Sequence, residues 1–548
     1  MFFRIKKIGQ YEYIMIVENK WVNGKSKQKV IHNLGRVEKV LESEQLDSLL
    51  ISGAKLSKKV AVLAEYKRSE TPTSKRKIVG PSLVFEKLWK EMGIDKEIKA
   101  LVQGRKYKFD MERAVFLTVL HRLMKSGPDS QCDQWRIHYR VDGTEDLQLH
   151  HLYRAMAWLG EPTEDWNEED PLSSRRTYHH LEERLFQKTR DLFSSLQMVF
   201  MDTTSLYFEG EGGEGFGERG KTKDHRPDCK QMVIGVVLDD EGKPICSEMW
   251  PGSTTDVTIL EPIVERLKHR FHIQSVCVVC DRGMTSDANI EELEAKGFHY
   301  ILGARMRNSK EVRDEVLGRG GRYETVRPGR TKRTDPSPLE VKNVEVNGHR
   351  YVICRNPEEA ESDAAKREAI LSALEKALKK GQKKLIGNKG YRKYVKMAGK
   401  VMAIDREKVS NESRYDGKYV LRTDLDIPAS EIALKYKQLW MVERLFREMK
   451  SSLETRPVYH KYDATIRGHV FCSFLALKLL KRLSELMLSK GYKLNLGDLR
   501  RNLNEVYEDE ISFESKRYMI RSEVPAAASC AMRSAGVRFP PFIRQLIQ

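Results

Sequence analysis

No stretch of the 548 residues approaches the roughly 18 uninterrupted apolar side chains that a membrane-crossing helix needs. The opening MFFRIKKIGQYEY also lacks the apolar run of a secretory signal, so a cytoplasmic protein without membrane contacts is expected. Cysteine is sparse. The eight thiols, at 132, 229, 246, 277, 280, 354, 472 and 530, are scattered through the chain, which excludes a disulfide framework. Only Cys277 and Cys280 form a CxxC. No second pair or His tandem completes a zinc set, and in SVCVVCD the two point to opposite faces of a strand, which assigns them to core packing. Gly210, Gly212 and Gly215 satisfy G-x-G-x-x-G, but no helix follows. Glu209, Glu211, Glu214 and Glu218 would repel a phosphate, so this is a flexible hairpin loop and dinucleotide binding is rejected. Internal repeats are absent.

What is abundant is charge, and it is unbalanced. Charged residues make up 32% of the chain and hydrophobic ones 40%, a soluble globular composition whose length suits three or four domains. Lys and Arg outnumber Asp and Glu by 97 to 79, a net charge of +18. A surplus of that size favours a polyanionic partner, nucleic acid first, over a thinly spread housekeeping charge.

The apolar pattern divides the chain. Residues 1–75 read as a small β/α region, with EYIMIV and KQKVIHNL as strands joined at NGK, then charged helical stretches and the basic linker RSETPTSKRK. Residues 76–197 read as helices studded with Arg, Lys and His: a basic module that grips DNA or, more plainly, a helical bundle. At Met198 the period changes. MVFMDTTSLYF, KQMVIGVVLD and KPICSEMWPG read as three strands, followed by a helix at about 256–270, the strand SVCVVCDRG, a helix at about 286–296 and the strand HYILGARM. That order is expected in an α/β, ribonuclease-H-like core, spanning 198–306 and resuming at 416–475 with DGKYVLRTD and a helix from about Pro428. Residues 307–415 read as a β-containing insertion subdomain, and 476–548 as a helical C-terminal region with a poorly patterned tail.

Three carboxylates sit where such a core brings residues together. Asp202 lies inside the first strand between apolar neighbours, where it must find a partner or bear the cost of burial. Asp281 ends the buried run VCVVC, at the carboxyl edge where α/β sheets place ligands. Glu443 lies in YKQLWMVERLFREMK, read as a helix presenting Tyr436, Trp440, Glu443, Arg447 and Lys450 on one face and Met441, Val442, Leu445 and Met449 on the other. Each acid has a plain alternative: a strand-end turn, or a surface helix with a Glu443–Arg447 pair. Clustered carboxylates raise one another's pKa and are relieved by a divalent cation, and oxygen ligands of this kind suit Mg²⁺ or Mn²⁺. Lys221, Lys223, His225 and Arg226, in KTKDHRPDCKQ, either contact phosphate or form a solvated loop.

Taken together, MDTTSLYF, KDHRPDCKQ, CDRG, DGKYVLRTD and YKQLWMVERLFREMK, followed by RPVYH and IRGH, resemble the DDE transposases of bacterial insertion sequences. The likeness is to the group whose third carboxylate lies in a signature of Tyr, two residues, Arg, three residues, Glu, six residues, Lys. Tyr436, Glu443 and Lys450 match it. Leu439 stands at the Arg position, leaving Arg447, on the same face, as its substitute. The resemblance runs from about Gly80 to His469. It implies an enzyme acting in the bacterial nucleoid that cuts double-stranded DNA at terminal inverted repeats and joins the ends to target DNA. It also implies two metal ions on Asp202, Asp281 and Glu443 and a homodimer in the DNA complex. Lys450 and Tyr436 would position the backbone of the terminal nucleotides. Trp440 or Trp250 would stack on an extruded base, unless Trp440 packs on Tyr436 instead. A catalytically inactive DNA-binding protein and a structure-specific nuclease of the same fold are the rival functions.

Overall fold

The computed structural model describes residues 1–22, 25–43, 75–163, 175–189, 196–273, 275–379, 393–398, 401–513 and 516–546, with scattered positions between 46 and 66. It has two compact units: Val79–Asn504 with Pro525–Arg538, and Met1–Ile78 with Glu505–Val524 and Phe539–Gln548.

In the smaller unit, β1 (Phe2–Ile8), β2 (Tyr11–Val22) and β3 (Lys25–Arg36) form an antiparallel sheet in chain order, as the alternation predicts. The turn read at NGK falls mainly on 23 and 24, outside the described residues. Most of the helical stretch read beyond about 43 and the start of the basic linker lie outside them too. The linker's end is a strand, β4 (Lys75–Ile78).

The larger unit is built on a sheet whose central strands are β5 (Met198–Tyr207), β6 (Gln231–Asp239), β7 (Pro244–Pro251), β8 (Cys277–Cys280) and β9 (His299–Gly303). Their order is β7-β6-β5-β8-β9. β6 is antiparallel to β5 and β7, whereas β5, β8 and β9 run parallel, the ribonuclease-H-like arrangement that the strand order predicts. β5, β6 and β8 are buried almost throughout, as strands covered on both faces must be. One face packs on the helices Leu260–His269 and Asp287–Ala295, through Ile263, Leu267, Ile290 and Leu293 against Val199, Met201, Val278 and Cys280. The helix Asp463–Leu488 packs against β7, and the helix Trp440–Arg447 against β5 and β6.

Most strands of the segment read as an insertion join the core sheet. Of these strands, β10 (Glu324–Arg327), β11 (Leu339–Val346) and β12 (His349–Arg355) continue it, while β13 (Val395–Ala398) and β14 (Val401–Ile404) pair alone. The bridge is β15 (Lys418–Thr423), antiparallel to both β9 and β12, which makes a nine-stranded sheet of order β10-β11-β12-β15-β9-β8-β5-β6-β7. The long charged helix is Pro357–Lys379.

Between 79 and 189 the predicted helices appear as Gly80–Glu91, Ile94–Val102, Met111–Met124, Leu149–Gly160 and Thr177–Thr189. They form one unit with the sheet rather than a detached module. Met111–Met124 is buried on every side, and Leu149–Gly160 packs on Asp463–Leu488. Glycines allow that approach: a Cβ on Gly160 would lie 2.0 Å from the Ala464 carbonyl oxygen, and one on Gly468 1.9 Å from that of Met156.

The expected helical C-terminal region is corrected. After the helix Leu496–Asn504 come β16 (Tyr507–Phe513), β17 (Lys516–Arg521) and, beyond the helix Ala526–Ser534, β18 (Ile543–Gln545). With β4 they form a second sheet of the smaller unit, ordered β18-β17-β16-β4. The acidic run EDE, which hides the strand pattern, is partly internal. Asp509 is 1% exposed and accepts from Arg76 Nε at 2.9 Å.

Candidate active site

Strand register assembles the first two acids. Met201 pairs with Cys280 across the parallel β5–β8 ladder, so Asp202 and Asp281 are the next residues along two adjacent strands. Met201 and Cys280 both face the core, and Asp281 keeps an extended backbone (φ −75°, ψ 161°). Alternation therefore turns both carboxylates to the opposite face. The residue after Asp202, Thr203, points the other way, and its hydroxyl donates to Asp256 Oδ1 at 2.6 Å. Asp256 opens the turn before the helix Leu260–His269. It is a third acid of the cluster, hidden from sequence reading in the hydrophilic turn GSTTD.

The acids are under-compensated. Burial pushes Asp202 up to about 6, with Lys223 opposing and Asp281 and Asp256 adding to the rise. The Asp202 carboxylate accepts from the Thr203 amide at 2.7 Å. Lys223 Nζ lies 3.9 Å from Asp202 Oδ1 and 3.6 Å from Asp256 Oδ1, its hydrogen bonds going to the Thr203 carbonyl (2.8 Å) and hydroxyl (2.7 Å). One ammonium at ion-pair distance from two of these acids leaves net negative charge in the cluster.

Asp281 has its own partner. The Tyr436 hydroxyl donates to Asp281 Oδ1 at 3.0 Å, and burial together with that carboxylate pushes the phenol upward. Gly303 makes room, since a Cβ there would lie 2.6 Å from the phenol oxygen and 2.8 Å from the Arg282 amide nitrogen. Arg305 fixes the loop that carries Asp281, donating to the carbonyls of Arg282 (3.1 Å) and Gly283 (3.0 Å).

The stretch 436–450 is not the single helix expected. The helix Ala429–Lys437 ends, a tight turn passes through Gln438 and Leu439, Trp440–Arg447 follows, and Glu448–Ser452 widens into a π-helix. Trp440, Glu443 and Arg447 still share an exposed face of the middle piece, and none has a hydrogen bond or ion pair with described residues. The alternative Glu443–Arg447 pair does not form; Arg444 pairs with Glu448 at 2.9 Å instead. Trp440 is 53% exposed, and Tyr436 stacks on Tyr419 at 5.8 Å between ring centres. Trp250 packs against the core, over Gly235.

Of the remaining candidates, Lys450 and Arg226 are paired with acids of the protein. Lys450 Nζ donates to Asp224 Oδ1 at 2.8 Å, with Arg456 Nε 3.4 Å from the same oxygen. Lys450 thus ties the segment after Glu443 to the loop bearing Lys223. In that loop His225 is exposed in the left-handed region (φ 56°), and Arg226 turns back to Asp228 (Nη2–Oδ2 2.8 Å) over the Tyr207 ring.

Asp202, Asp281 and Glu443 do not bring three oxygens within 4.8 Å of one another. Among the described residues, only Asp129, His460 and His469 offer three ligand atoms that close. A cation already sits there. Arg122 Nη2 lies 2.7 Å from Asp129 Oδ1 and 2.9 Å from His469 Nδ1. His469 Nε2 faces the Thr455 carbonyl at 3.0 Å and so carries the proton, leaving Nδ1 to accept from the guanidinium. A metal on Nδ1 would need the position that Arg122 fills.

The model of the transposase DDE domain matches residues 194–479, more than half of the chain. The model of the IS1634 family transposase N-terminal domain matches residues 3–65. A solved piggyBac transposase synaptic complex with hairpin DNA is 12% identical, with a TM-score of 0.39 and 78% of each chain covered. No curated protein matches. The chain belongs to the DDE transposases of bacterial insertion sequences.

Proposed function

We propose that this transposase cuts double-stranded DNA at the terminal inverted repeats of its element and joins the freed ends to target DNA, with Asp202, Asp281 and Glu443 as the reacting-centre carboxylates. The observation that carries the reading is the β5–β8 register, which sets Asp202 beside Asp281 under the helix that presents Glu443. Donor chemistry fits a hard divalent cation. The offered atoms are carboxylate oxygens, and Asp202 has its pKa raised by burial and by two neighbouring acids, a cost that bound charge removes. Asp202 and Asp281 would hold Mg²⁺ or Mn²⁺, two ions in all, with Glu443 drawn in as the remaining ligand. Such ions supply activation of water or a 3′-hydroxyl for in-line attack and stabilisation of the leaving oxygen.

The chain's own groups do the positioning. Tyr436 holds Asp281 in place, and Lys223 answers part of the acidic charge. Trp440 and Arg447, exposed and unpaired beside Glu443, offer a ring for an extruded base and a cation for phosphate. Lys450 acts through Asp224 rather than on DNA. By likeness to the family, a homodimer in the DNA complex would bring the two element ends together for joining.

The test is full-length protein with a duplex carrying the element's end and Mg²⁺. Cutting followed by joining is expected; cutting alone would indicate a nuclease, and binding without cutting an inactive relative. Glu443→Gln should abolish cutting while keeping fold and DNA affinity. Wild-type-like cutting by that variant would remove Glu443 from the set.

A further inference from the structure

Beside Lys223 and Asp256, which line it, lies a cavity of 750 Å³ to which the proposed chemistry assigns no occupant. Thr204, Ser205, Lys223 and Asp256 line this space beside the acids, whereas Trp440, Glu443 and Arg447 do not line it. Lys221, Lys223, Arg282, Arg305 and Arg307 line it against one carboxylate, Asp256. That carboxylate is already answered by Thr203 and Lys223. Arg307 is paired with Glu412 at 3.1 Å, and Arg305 spends two of its donors on carbonyls. Lys221 and Arg282 are exposed and make no hydrogen bond or ion pair with described residues. The cavity therefore keeps a positive surplus, and no aromatic ring lines it.

We propose that this cavity seats the phosphodiester backbone of the strand beyond the scissile phosphate: flanking DNA during cutting and target DNA during joining. The inference rests on the proposed active site, because it needs a strand to cross Asp202 and Asp281. Two features assign the strand. Phosphate contacts carry no base identity, so a pocket of cations and small hydroxyls without a stacking ring suits DNA whose sequence varies from one insertion to the next. The exposed ring, Trp440, does not line this cavity and stands on the helix that carries Glu443, where a fixed element end can use it.

The deciding variant is Lys221→Glu, at an exposed side chain whose loss breaks no contact. A reversal at exposed Lys376 on the long helix serves as control. Binding of a pre-cut element end should stay within about twofold of wild type. Joining of that end to a target duplex should fall at least about tenfold. The salt dependence of target capture should become shallower by about one ion. Unchanged joining, or an equal loss of end binding, would overturn the assignment. Should the unaltered protein neither cut nor join in Mg²⁺, the parent reading fails. Capture of labelled target by the end-bound protein in Ca²⁺ then decides the pocket alone: tenfold weaker capture in Lys221→Glu sustains it, and equal capture removes it.

Discussion

Two clusters of acids and cations lie in the same unit and behave in opposite ways. Around Asp129 the carboxylate is answered: Arg122 donates to both of its oxygens within 2.9 Å, His460 Nε2 lies 3.0 Å away, and His469 Nδ1 accepts from the same guanidinium. Burial pushes Asp129 up, but Arg122 first, and then the contact with His460, outweigh it and hold the carboxyl well below its usual range. Around Asp202 the balance is reversed, because burial and two further acids outweigh one ammonium. A charge cluster that closes on itself holds structure; one left with surplus charge is prepared for an ion from outside. The network of Asp129 ties the Met111–Met124 helix, through Arg122, to the loop bearing His460 and to the Asp463–Leu488 helix. It is a clasp for the helices, not a reaction centre.

The comparison is broken most forcefully at the closed cluster. Asp129→Asn should destabilise the protein by about 3–5 kcal/mol, because it strands a buried guanidinium. Urea unfolding at pH 7 measures this, and a loss below about 1 kcal/mol would show that the clasp carries little. Since Asp129 has its pKa depressed in the folded state, its contribution is present above the ordinary carboxylate range. It is lost only as pH falls through the folded value.

At the open cluster the sign inverts. A carboxyl raised to about 6 disfavours folding once it ionises, so Asp202 contributes stability below about pH 4 and loses it as pH rises through about 6. Asp202→Asn should therefore stabilise the metal-free protein at pH 8 by up to about 3 kcal/mol, with the gain vanishing near pH 4. Mg²⁺ should raise the melting temperature of the unaltered protein at pH 8 and leave that of Asp202→Asn nearly unchanged. A variant less stable than wild type at pH 8 would mean that Asp202 is a satisfied structural acid.

Between these extremes sits the Lys450–Asp224 pair, whose side chains are 11% and 5% exposed. Lys450→Met keeps the packing of the stem and leaves Asp224 with Arg456 alone. A loss of about 1–3 kcal/mol is expected. A variant within 0.5 kcal/mol of wild type would free Lys450 for the role on DNA that its place in the signature implies.

Sequence reading succeeded where burial writes a pattern. β5, β6 and β8 are buried, mostly apolar runs, and Asp202 and Asp281 stand out because ionisable groups interrupt or end such runs. It failed where partners are remote or the pattern is masked. Asp129 and His469 are 340 positions apart and neither lies in a motif with the other. Asp256 sits in a polar turn that resembles any other. β15 is a short strand whose edges look alike in sequence, so nothing announces that it joins β9 to β12. The break at Gln438 and Leu439 escaped because both residues keep helical dihedrals or near ones, and only the hydrogen-bond step tightens.

The smallest stability effect is the most discriminating. Glu443 is exposed on the Trp440–Arg447 helix, and no described hydrogen bond or ion pair holds its carboxylate. Glu443→Gln should leave the unfolding free energy within about 0.5 kcal/mol of wild type, as surface substitutions do. The same change should lower cutting by a hundredfold or more, in line with loss of a group that stabilises the transition state. A residue that costs nothing to remove from the fold and everything to remove from the reaction is the opposite of Asp129. If Glu443→Gln instead lowers stability and activity in parallel, the exposed acid is doing the work of a clasp, and the distinction between the two clusters fails at its sharpest point.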